Sequence, residues 1–459
     1  MAKEIVRQES LEEPGERSRL WYHEDVLDVL KNNTGTKAIQ GLVLNLPESE
    51  KVKLKAKAFT KMERLRLLHL NNVHLRGSYK HLSRRLVWLS WKGFSSNYIP
   101  SNLIMDNLVA LDLSYSKLKQ VWRGTKVLYR LKYLNLGHSY FLINTPDFTG
   151  FASLKELLLN DCTELVEVHQ SIEHLKNLVV LNLKNCHNLQ KIPLSIFMSK
   201  SLLHVNLSGC SKLEWLAFFQ GSPPESRFSS LQLSGNIRKL HMEDCNIAYV
   251  PSEICNLVSF KFLNLSQNNF SNLPATISSL QLLKALSVSK CTRLESIPEL
   301  PVNLLTLHAN YCTSLQSIEI ESKSAETSLR RFYHCPDCCA YKFSRNLCYQ
   351  GNEVKGSLVY KGYDKDPDLC DASDHSITIA SNIPPLNENV SWNWKSSEAE
   401  GSLVYKGNDE DLDLCDTSDH SITNASYIPP FYENVSRKRK SNENVSWNWK
   451  VRFFLSIVV

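Results

Sequence analysis

The sequence predicts an α/β solenoid, a curved stack of short repeating units with parallel strands on its concave face. Three observations support this prediction. A twelve-residue pattern of leucines recurs along the chain, its copies follow one another at 21 to 24 residues with one exception, and cysteine returns at one position of the pattern. A unit this short cannot bury its own apolar face, so the copies must stack on one another.

The clearest copies begin at Leu154, Leu178 and Leu202 and read LKELLLNDCTEL, LVVLNLKNCHNL and LLHVNLSGCSKL. Each fits L-x-x-L-x-L-x-x-C-x-x-L, the signature of a leucine-rich repeat. We find eleven such frames, which open at Leu65, Leu86, Leu108, Leu131, Leu154, Leu178, Leu202, Ile237, Phe260, Leu283 and Leu304.

Within a frame, the alternation L-x-L predicts a short strand with its leucines facing inward and positions three, five and seven facing outward. The one long step, from Leu202 to Ile237, contains a Ser- and Pro-rich insertion near 218–230 that we expect to be a surface loop. Residues 39–44 read as a degenerate unit that caps the stack. The sequence therefore predicts a leucine-rich-repeat horseshoe over residues 39–318, with about eleven repeats plus a cap.

Cysteine occupies position nine in six frames, at Cys162, Cys186, Cys210, Cys245, Cys291 and Cys312. No apolar core of a signal peptide follows Met1, so we interpret these residues as buried free thiols in a reducing compartment. A small polar or thiol side chain at this position can satisfy turn amides between neighbouring coils. No apolar run reaches the roughly 18 residues of a membrane helix. A net charge of +6 does not argue for nucleic-acid binding. We expect a cytoplasmic chain without membrane or nucleic-acid partners.

The repeat pattern ends after Leu315, and two further segments follow. Residues 319–355 are rich in cysteine. Residues 356–459 contain a tandem duplication, in which GSLVYKGYDKDPDLCDASDHSIT at 356–378 recurs almost unchanged at 401–423. The composition of this tail is polar with scattered aromatic residues, so we expect it to be largely irregular, either disordered or weakly β-structured.

The N-terminal stretch carries the motifs EIVRQES (4–10), PGERSRLW (14–21), DVLDVL (25–30), NTGT (33–36) and IQGLVL (39–44). In this order they resemble the junction after the nucleotide-binding module of plant disease-resistance proteins of the Toll/interleukin-1-receptor class. FTKMERLRLLHL (59–70) and the cysteine-type repeats look like that family's repeat domain. The resemblance covers residues 1–315 and identifies residues 1–38 as the remnant of a winged-helix region and its linker, with one short helix in WYHEDVLDVLKNN.

Full-length members of that family carry a signalling domain and an ATP-binding switch. The present sequence has no G-x-x-x-x-G-K-[ST] motif, so we expect neither a phosphate-binding loop nor a nucleotide cofactor. The resemblance therefore implies a C-terminal fragment that lacks the signalling and nucleotide-binding domains, either a truncated product or part of a longer chain.

The concave face is the usual binding surface of a solenoid. Large aromatic residues at its outward positions are of particular interest, because aromatic side chains are enriched in interface hot spots. The alternative is that they merely pack on neighbouring strands. The predicted partner-binding residues are Trp88, Lys92, Asp112, Tyr133, Asn135, Glu156, Asn182, Lys184, His204, Lys239, His241, Glu243 and Phe262.

Other candidate sites are weak. Cys335, Cys338, Cys339 and Cys348 with His334 contain one C-x-x-C, but zinc needs four well-placed ligands, so a cluster of free thiols is the preferred interpretation. Asp364, Asp366 and Asp368 alternate as in an EF-hand, yet the sixth position is Leu369 and the twelfth is His375, which rejects that motif. RKRK at 437–440 leaves nuclear import open as an alternative to a solvated charge run. No catalytic signature is present, and we expect neither a metal site nor an enzyme.

These observations favour the protein-recognition module of a plant immune receptor. Through the resemblance, its partner would be a pathogen effector or the receptor's own nucleotide-binding module, whose switch the repeats would restrain. The alternative is a decoy, or a non-functional fragment in which apolar side chains such as Trp21 would be exposed.

Overall fold

The computed structural model describes residues 2–47, 49, 52–214 and 236–318, together with the backbone of three short strands further along the chain. All of them belong to one compact unit. Its main element is a sheet in which each repeat adds one parallel strand to the last. The strands of residues 19–308 in this sheet are β1 Arg19–Leu20, β2 Gly41–Asn45, β4 Leu67–Asn71, β6 Trp88–Lys92, β7 Ala110–Asp112, β8 Tyr133–Asn135, β9 Glu156–Leu158, β10 Val180–Asn182, β11 His204–Asn206, β12 Lys239–His241, β13 Phe262–Asn264, β14 Ala285–Ser287 and β16 Thr306–His308.

The strand of every frame begins at its third position, as the leucine pattern predicts. Register is kept from one strand to the next, so that Leu157 pairs with Leu181, Leu181 with Val205, and Val205 with Leu240. Their side chains are buried in a single apolar core that runs through all the repeats. The predicted leucine-rich-repeat solenoid is confirmed, and the constant register explains it, because each inward leucine packs on its equivalents in the adjacent repeats.

The sheet begins earlier than the sequence suggested, because β1 pairs with β2 outside the unit expected to cap the stack. Helix α1 Ala2–Gln8 precedes β1, and helix α2 His23–Asn32 follows it. The apolar side chains of α2, including Val26 and Leu30, belong to the same core as the repeats. Trp21 is half-buried rather than exposed. Arg17 is buried and pairs with Asp25, which ties the segment before β1 to α2. Residues 17–32 thus cover the apolar end of the stack.

A turn follows each strand, and its geometry is the same in all eleven frames. The residue at position eight has a left-handed backbone, with φ between 52° and 76°, whether it is Gly209, Tyr115 or Lys290. Most of the return segments form single turns of 3₁₀ helix, for example Gln170–His174 and Ser252–Asn256. Two short parallel pairs lie outside the main sheet, formed by β3 Lys53–Lys55 with β5 His74–Arg76 and by β15 Ser296–Ile297 with β17 Ser317–Ile318.

The parallel sheet also extends beyond Leu315, where the sequence pattern ends. Strand β18 Arg331–Tyr333 pairs in parallel with β16. Two antiparallel strands, β19 Gly356–Tyr360 and β20 Ser376–Ser381, continue the sheet from β18. Backbone pairing therefore continues beyond the predicted repeats, since it does not require the leucine pattern. The cysteine cluster at 335–348, the acidic loop at 364–368, RKRK, the insertion near 218–230 and most of the duplicated tail lie outside the described residues.

Candidate functional site

Position nine forms a row of interior corners that links each repeat to the one before it. The Cys186 thiol donates a hydrogen bond to the Leu159 carbonyl oxygen at 3.1 Å, and the other five position-nine cysteines donate in the same way to the preceding repeat. These six residues are buried free thiols, as predicted. Burial raises the pKa of Cys162 and of Cys210 to about 12, so both are protonated at neutral pH. The sulfurs also accept backbone N–H groups from the turn of the preceding repeat, as the sequence suggested, for example from Ser139 at Cys162 and from Cys186 at Cys210.

Asn268 replaces cysteine in one corner, and it does bind turn amides. Its Oδ1 accepts hydrogen bonds from the backbone N–H groups of Cys245 and Ile247, at 3.1 and 3.0 Å. Its Nδ2 donates to the carbonyl oxygens of Met242 and Leu265, both at 2.8 Å, and to that of Ser266. One amide side chain therefore satisfies backbone groups of two repeats at once.

The sheet face turned away from the core, here called the open face, carries the outward positions three, five and seven. At position five, five side chains accept a hydrogen bond from the backbone N–H two residues further on. The acceptors are Asp112, Asn135, Asn182, Asn206 and Asn264, with distances of 2.9–3.0 Å. These side chains hold the turn after the strand, a local role typical of Asn and Asp.

Two predicted partner-binding residues are not solvent-facing. Asp112 is 0% exposed and Asn135 is 7% exposed. Asp112 lies between Ser90 and Asn135 on the adjacent strands. Strands are only about 4.8 Å apart, and the longer side chains of Lys92 and Tyr133 on the adjacent repeats lie close to the short Asp112 side chain. The expectation of an exposed Asp112 and Asn135 was therefore wrong. The other predicted residues lie on the open face and are half-buried, namely Trp88, Lys92, Tyr133, Glu156, Asn182, Lys184, His204, Lys239, His241, Glu243 and Phe262.

Strands β7 to β9 form what we call the acidic region, which contains Asp112, Tyr133 and Glu156. Burial raises the pKa of the Asp112 carboxyl, against the opposing effect of its hydrogen bond from Ser114 N–H and of Lys92 nearby. Burial also raises the pKa of Tyr133 well above its usual value, and the charges of Asp112 and Glu156 raise it further. This part of the open face therefore carries two carboxyl groups beside a half-buried phenol, with exposed Lys132 and Lys155 at position two of its frames.

Strands β11 and β12 form the basic region, which contains His204, Arg238, Lys239 and His241. Desolvation, together with the nearby Lys239, His204 and Lys184, lowers the pKa of His241 to about 4. The pKa of His204 is lowered by burial and then by Lys239 and Arg238. Both imidazoles are therefore neutral at pH 7. The ring of His241 contacts that of Phe262, with 4.9 Å between centroids.

A second polar row follows the left-handed residues at the ends of the strands. The Tyr115 and His138 rings stack with 4.3 Å between centroids, and His138 Nε2 lies 3.5 Å from the Asp161 carboxylate. Asn185 donates to the same carboxylate at 2.8 Å. These contacts join four consecutive repeats along the edge of the sheet.

Among the described residues, no helix has both the length and the apolar character needed to cross a bilayer. Over the same residues, no group of three or more His, Cys, Asp or Glu side chains could hold a metal ion.

Comparison with known proteins shows which repeats these are similar to. A family model described as "Disease resistance protein RPS4B-like, leucine-rich repeats" matches residues 149–334. The chain is 32% identical over 304 residues to TMV resistance protein N of Nicotiana glutinosa, which covers 65% of this chain and 25% of that protein. The leucine-rich repeats of the present chain belong to the plant disease-resistance family.

The resemblance seen in the sequence motifs is thus confirmed. Disease resistance protein RPS6 of Arabidopsis thaliana is 31% identical over 360 residues, covering 70% of this chain and 32% of that protein. Disease resistance protein RPP2B of the same plant is 36% identical over 177 residues, covering 36% of this chain and 15% of that protein. The chain spans between about a seventh and a third of the length of these relatives.

In these disease-resistance repeats, sequence reasoning located the open face but missed part of its chemistry. Arg238 stands at position two, just before the strand, and was left out although its side chain is exposed. The run IRKLH at 237–241 was the available signal, because it places two adjacent cations at the start of a strand. The turn-holding role of the position-five residues was also missed, although Asn and Asp two residues before a turn are typical of it.

Proposed function

We propose that the chain is a protein-recognition module in plant defence and that its open face binds the partner protein. Within this proposal the partner is a pathogen effector or the nucleotide-binding module of a disease-resistance receptor, whose switch the repeats would restrain. The main support is the contrast between the two faces of one sheet. Inward positions carry the same apolar side chains in nearly every frame, whereas outward positions carry Trp88, Glu156, Lys239 and Phe262 on an equivalent backbone.

This contrast favours recognition because the inward side chains alone are sufficient to stack the repeats. Aromatic side chains that are only half-buried provide area for a partner, and Trp88, Tyr133 and Phe262 are of this kind. The free thiols of Cys162, Cys186, Cys210, Cys245 and Cys291 further support a reducing, cytoplasmic location within this proposal.

The test is a pull-down with the full chain as bait, against candidate effectors and a separately expressed nucleotide-binding module from a disease-resistance relative. Replacing Trp88, Tyr133 and Phe262 together by alanine is expected to lower the affinity of a retained partner by about 100-fold or more, since truncated hot-spot residues each cost roughly 1–2 kcal/mol. Replacement of the exposed Tyr129, Tyr249 and Val302, which lie outside the strands, is the matched control. Unchanged binding by the first variant would contradict the proposal.

The alternative is a decoy or inactive fragment, since the chain matches only 25% and 32% of the length of two of its relatives. The packing of Leu20, Val26 and Leu30 into the core favours a folded module instead. Thermal unfolding followed by circular dichroism separates the two, because a folded module unfolds in one cooperative transition whereas a fragment with uncovered apolar surface aggregates.

A further inference from the structure

The basic region concentrates positive charge on a small part of the open face. Arg238 is exposed and Lys239 is half-buried, and both are carried by the same strand end. In the register of the sheet, Lys239 lies between His204 and Phe262, while His241 lies between Asn206 and Asn264. Neighbouring strands are about 4.8 Å apart, so these groups form one continuous surface of two cations, two imidazoles and an aromatic ring.

The polar groups around this surface are suited to carboxylates. Lys and Arg donate several hydrogen bonds to a carboxylate, and imidazole can donate one from each protonated nitrogen. The mutual closeness of His204, His241 and Lys239 is unfavourable for charge on the histidines in the free protein. A partner carboxylate would reverse this, because an opposite charge favours the protonated imidazole.

Negative charge borders the basic region and limits the size of the ligand. Glu156 lies two strands away on β9. Glu243 lies in the same repeat, two residues after His241, and its carboxylate accepts hydrogen bonds from the side-chain amides of Asn264 and Gln267 at 3.3 and 2.5 Å. A long polyanion such as a nucleic acid would have to pass over these carboxylates. A short acidic stretch with neutral residues on either side would not.

We propose that the basic region binds a short acidic segment of a partner protein, with Asp or Glu side chains against Arg238, Lys239, His204 and His241 and an apolar residue on Phe262. This assignment rests on the proposed function of the open face and specifies the chemistry of the partner. Carboxylates of an extended segment can follow the register across β11, β12 and β13. Attraction between opposite charges would speed the encounter and exclude basic partners.

The experiment uses the full chain and a fluorescein-labelled peptide of twelve residues in which Asp and Glu surround one central Trp. A second peptide carries Asn and Gln at the same places. Fluorescence anisotropy is expected to show about tenfold tighter binding of the acidic peptide at about 50 mM salt, and a loss of that difference at about 500 mM. Equal binding of the two peptides would overturn the proposal.

Substitutions identify the surface. Lys239→Glu and Arg238→Glu are each expected to weaken the acidic peptide by about tenfold, because each turns an attraction into a repulsion. Lys155→Glu is the matched control, since Lys155 holds the same repeat position as Arg238 but precedes the acidic strand β9. It is expected to change binding less than twofold. Circular dichroism establishes that each variant is folded. An oligothymidylate of twelve residues that binds as tightly as the acidic peptide would show a general anion surface and would also overturn the proposal.

Failure of this inference is distinguishable from failure of the proposed function. A protein captured by the full chain that is released by the aromatic triple variant but not by Lys239→Glu would retain the open face as the recognition surface and reject the acidic ligand. A captured protein that is released by neither variant would reject both.

Discussion

The acidic region and the basic region of the open face stand on the same scaffold and differ in charge. Strands β7 to β9 and β11 to β13 have the same register, the same inward apolar residues and the same left-handed turn. On the first, Asp112 is buried and Glu156 is half-buried, while the second exposes Arg238 and presents Lys239 and two neutral histidines. The comparison shows that the inward residues provide a common scaffold while the outward residues differ in charge from repeat to repeat, although the position-five side chains of the open face also hold turns.

The two regions also respond to pH in opposite directions. Burial raises the pKa of Asp112 and lowers that of His241, and in both cases the neutral form is the one that folding favours. Asp112 is neutral at low pH and His241 at high pH. Ionisation of Asp112 in the acidic region therefore lowers the free energy of unfolding as the pH rises. Protonation of His241 in the basic region lowers it as the pH falls.

The largest expected change in stability comes from the interior corner at Asn268, which lies below the basic region. Both regions depend on such corners for an intact scaffold. Asn268→Ala is expected to lower the free energy of unfolding by about 3–4 kcal/mol, since it leaves buried N–H and carbonyl groups of two repeats without partners. Cys162→Ala, in the corner below the acidic region, removes only the weak hydrogen bonds of one thiol and is expected to cost about 1 kcal/mol. Urea denaturation at pH 7 measures both. Equal losses would mean that the two corners contribute alike.

Asp112→Asn tests how much the ionised, buried carboxyl of the acidic region lowers the free energy of unfolding. Asparagine preserves the acceptor for Ser114 N–H and reproduces Asn135, which holds position five in the next frame. The folded pKa of Asp112 lies above the unfolded value, so ionisation costs stability above pH 4. We expect the variant to be about 1–2 kcal/mol more stable than the wild type at pH 7 and to lose this advantage toward pH 4.

The same urea titrations at both pH values measure this effect. Asp106→Asn at an exposed position is the control, with an expected change below about 0.5 kcal/mol. An advantage of Asp112→Asn that is independent of pH would contradict the assignment.

His241→Asn is the corresponding change in the basic region, and it reproduces Asn206 and Asn264 on both neighbouring strands. The folded pKa of His241 is about 4, below the unfolded value of 6.5, so the wild type loses stability as the pH falls from 6.5 to 4. We expect the wild type to lose about 1–2 kcal/mol more than the variant between pH 7.5 and pH 5, after allowance for a half-buried side chain.

The reverse substitution sharpens the result. Asn206→His places a third imidazole beside His204 and His241 and is expected to steepen the acid loss in the same urea titrations. If neither substitution changes the pH dependence, the imidazole on β12 is not desolvated as the structure indicates.

The sequence was sufficient to predict the repeats, because the leucine pattern is itself the packing requirement. Each inward leucine must meet its equivalents, so the eleven frames located all eleven strands at their third residue. The six position-nine cysteines were recognised for the same reason, since they stand in line with the interior. Their additional donation to carbonyl oxygens was not predictable, because it depends on which backbone group of the preceding repeat lies within reach.

The period of the leucine pattern was sufficient to locate the open face. It was not sufficient to predict how exposed each residue on that face is. The period places Asp112 and Lys239 on the same face, yet one is buried and the other is not. What decides this is the length of the side chain itself and the long side chains close to it, which for the short Asp112 are Lys92 and Tyr133 of the adjacent repeats. Those repeats are 20 or more residues away in the chain, but their strands are only about 4.8 Å away in space.

The amino-acid sequence by itself determined the repeat, its register, its interior thiols and its family, because all of these follow from a local pattern that is copied along the chain. Only the tertiary structure decided three things: that residues 17–32 cover the end of the stack, that Asp112 and Asn135 hold turns instead of facing solvent, and that Arg238, Lys239, His204 and His241 form one surface. Each of these depends on neighbours in adjacent repeats. Their contacts are set by stacking, and the pattern within a single repeat does not contain them.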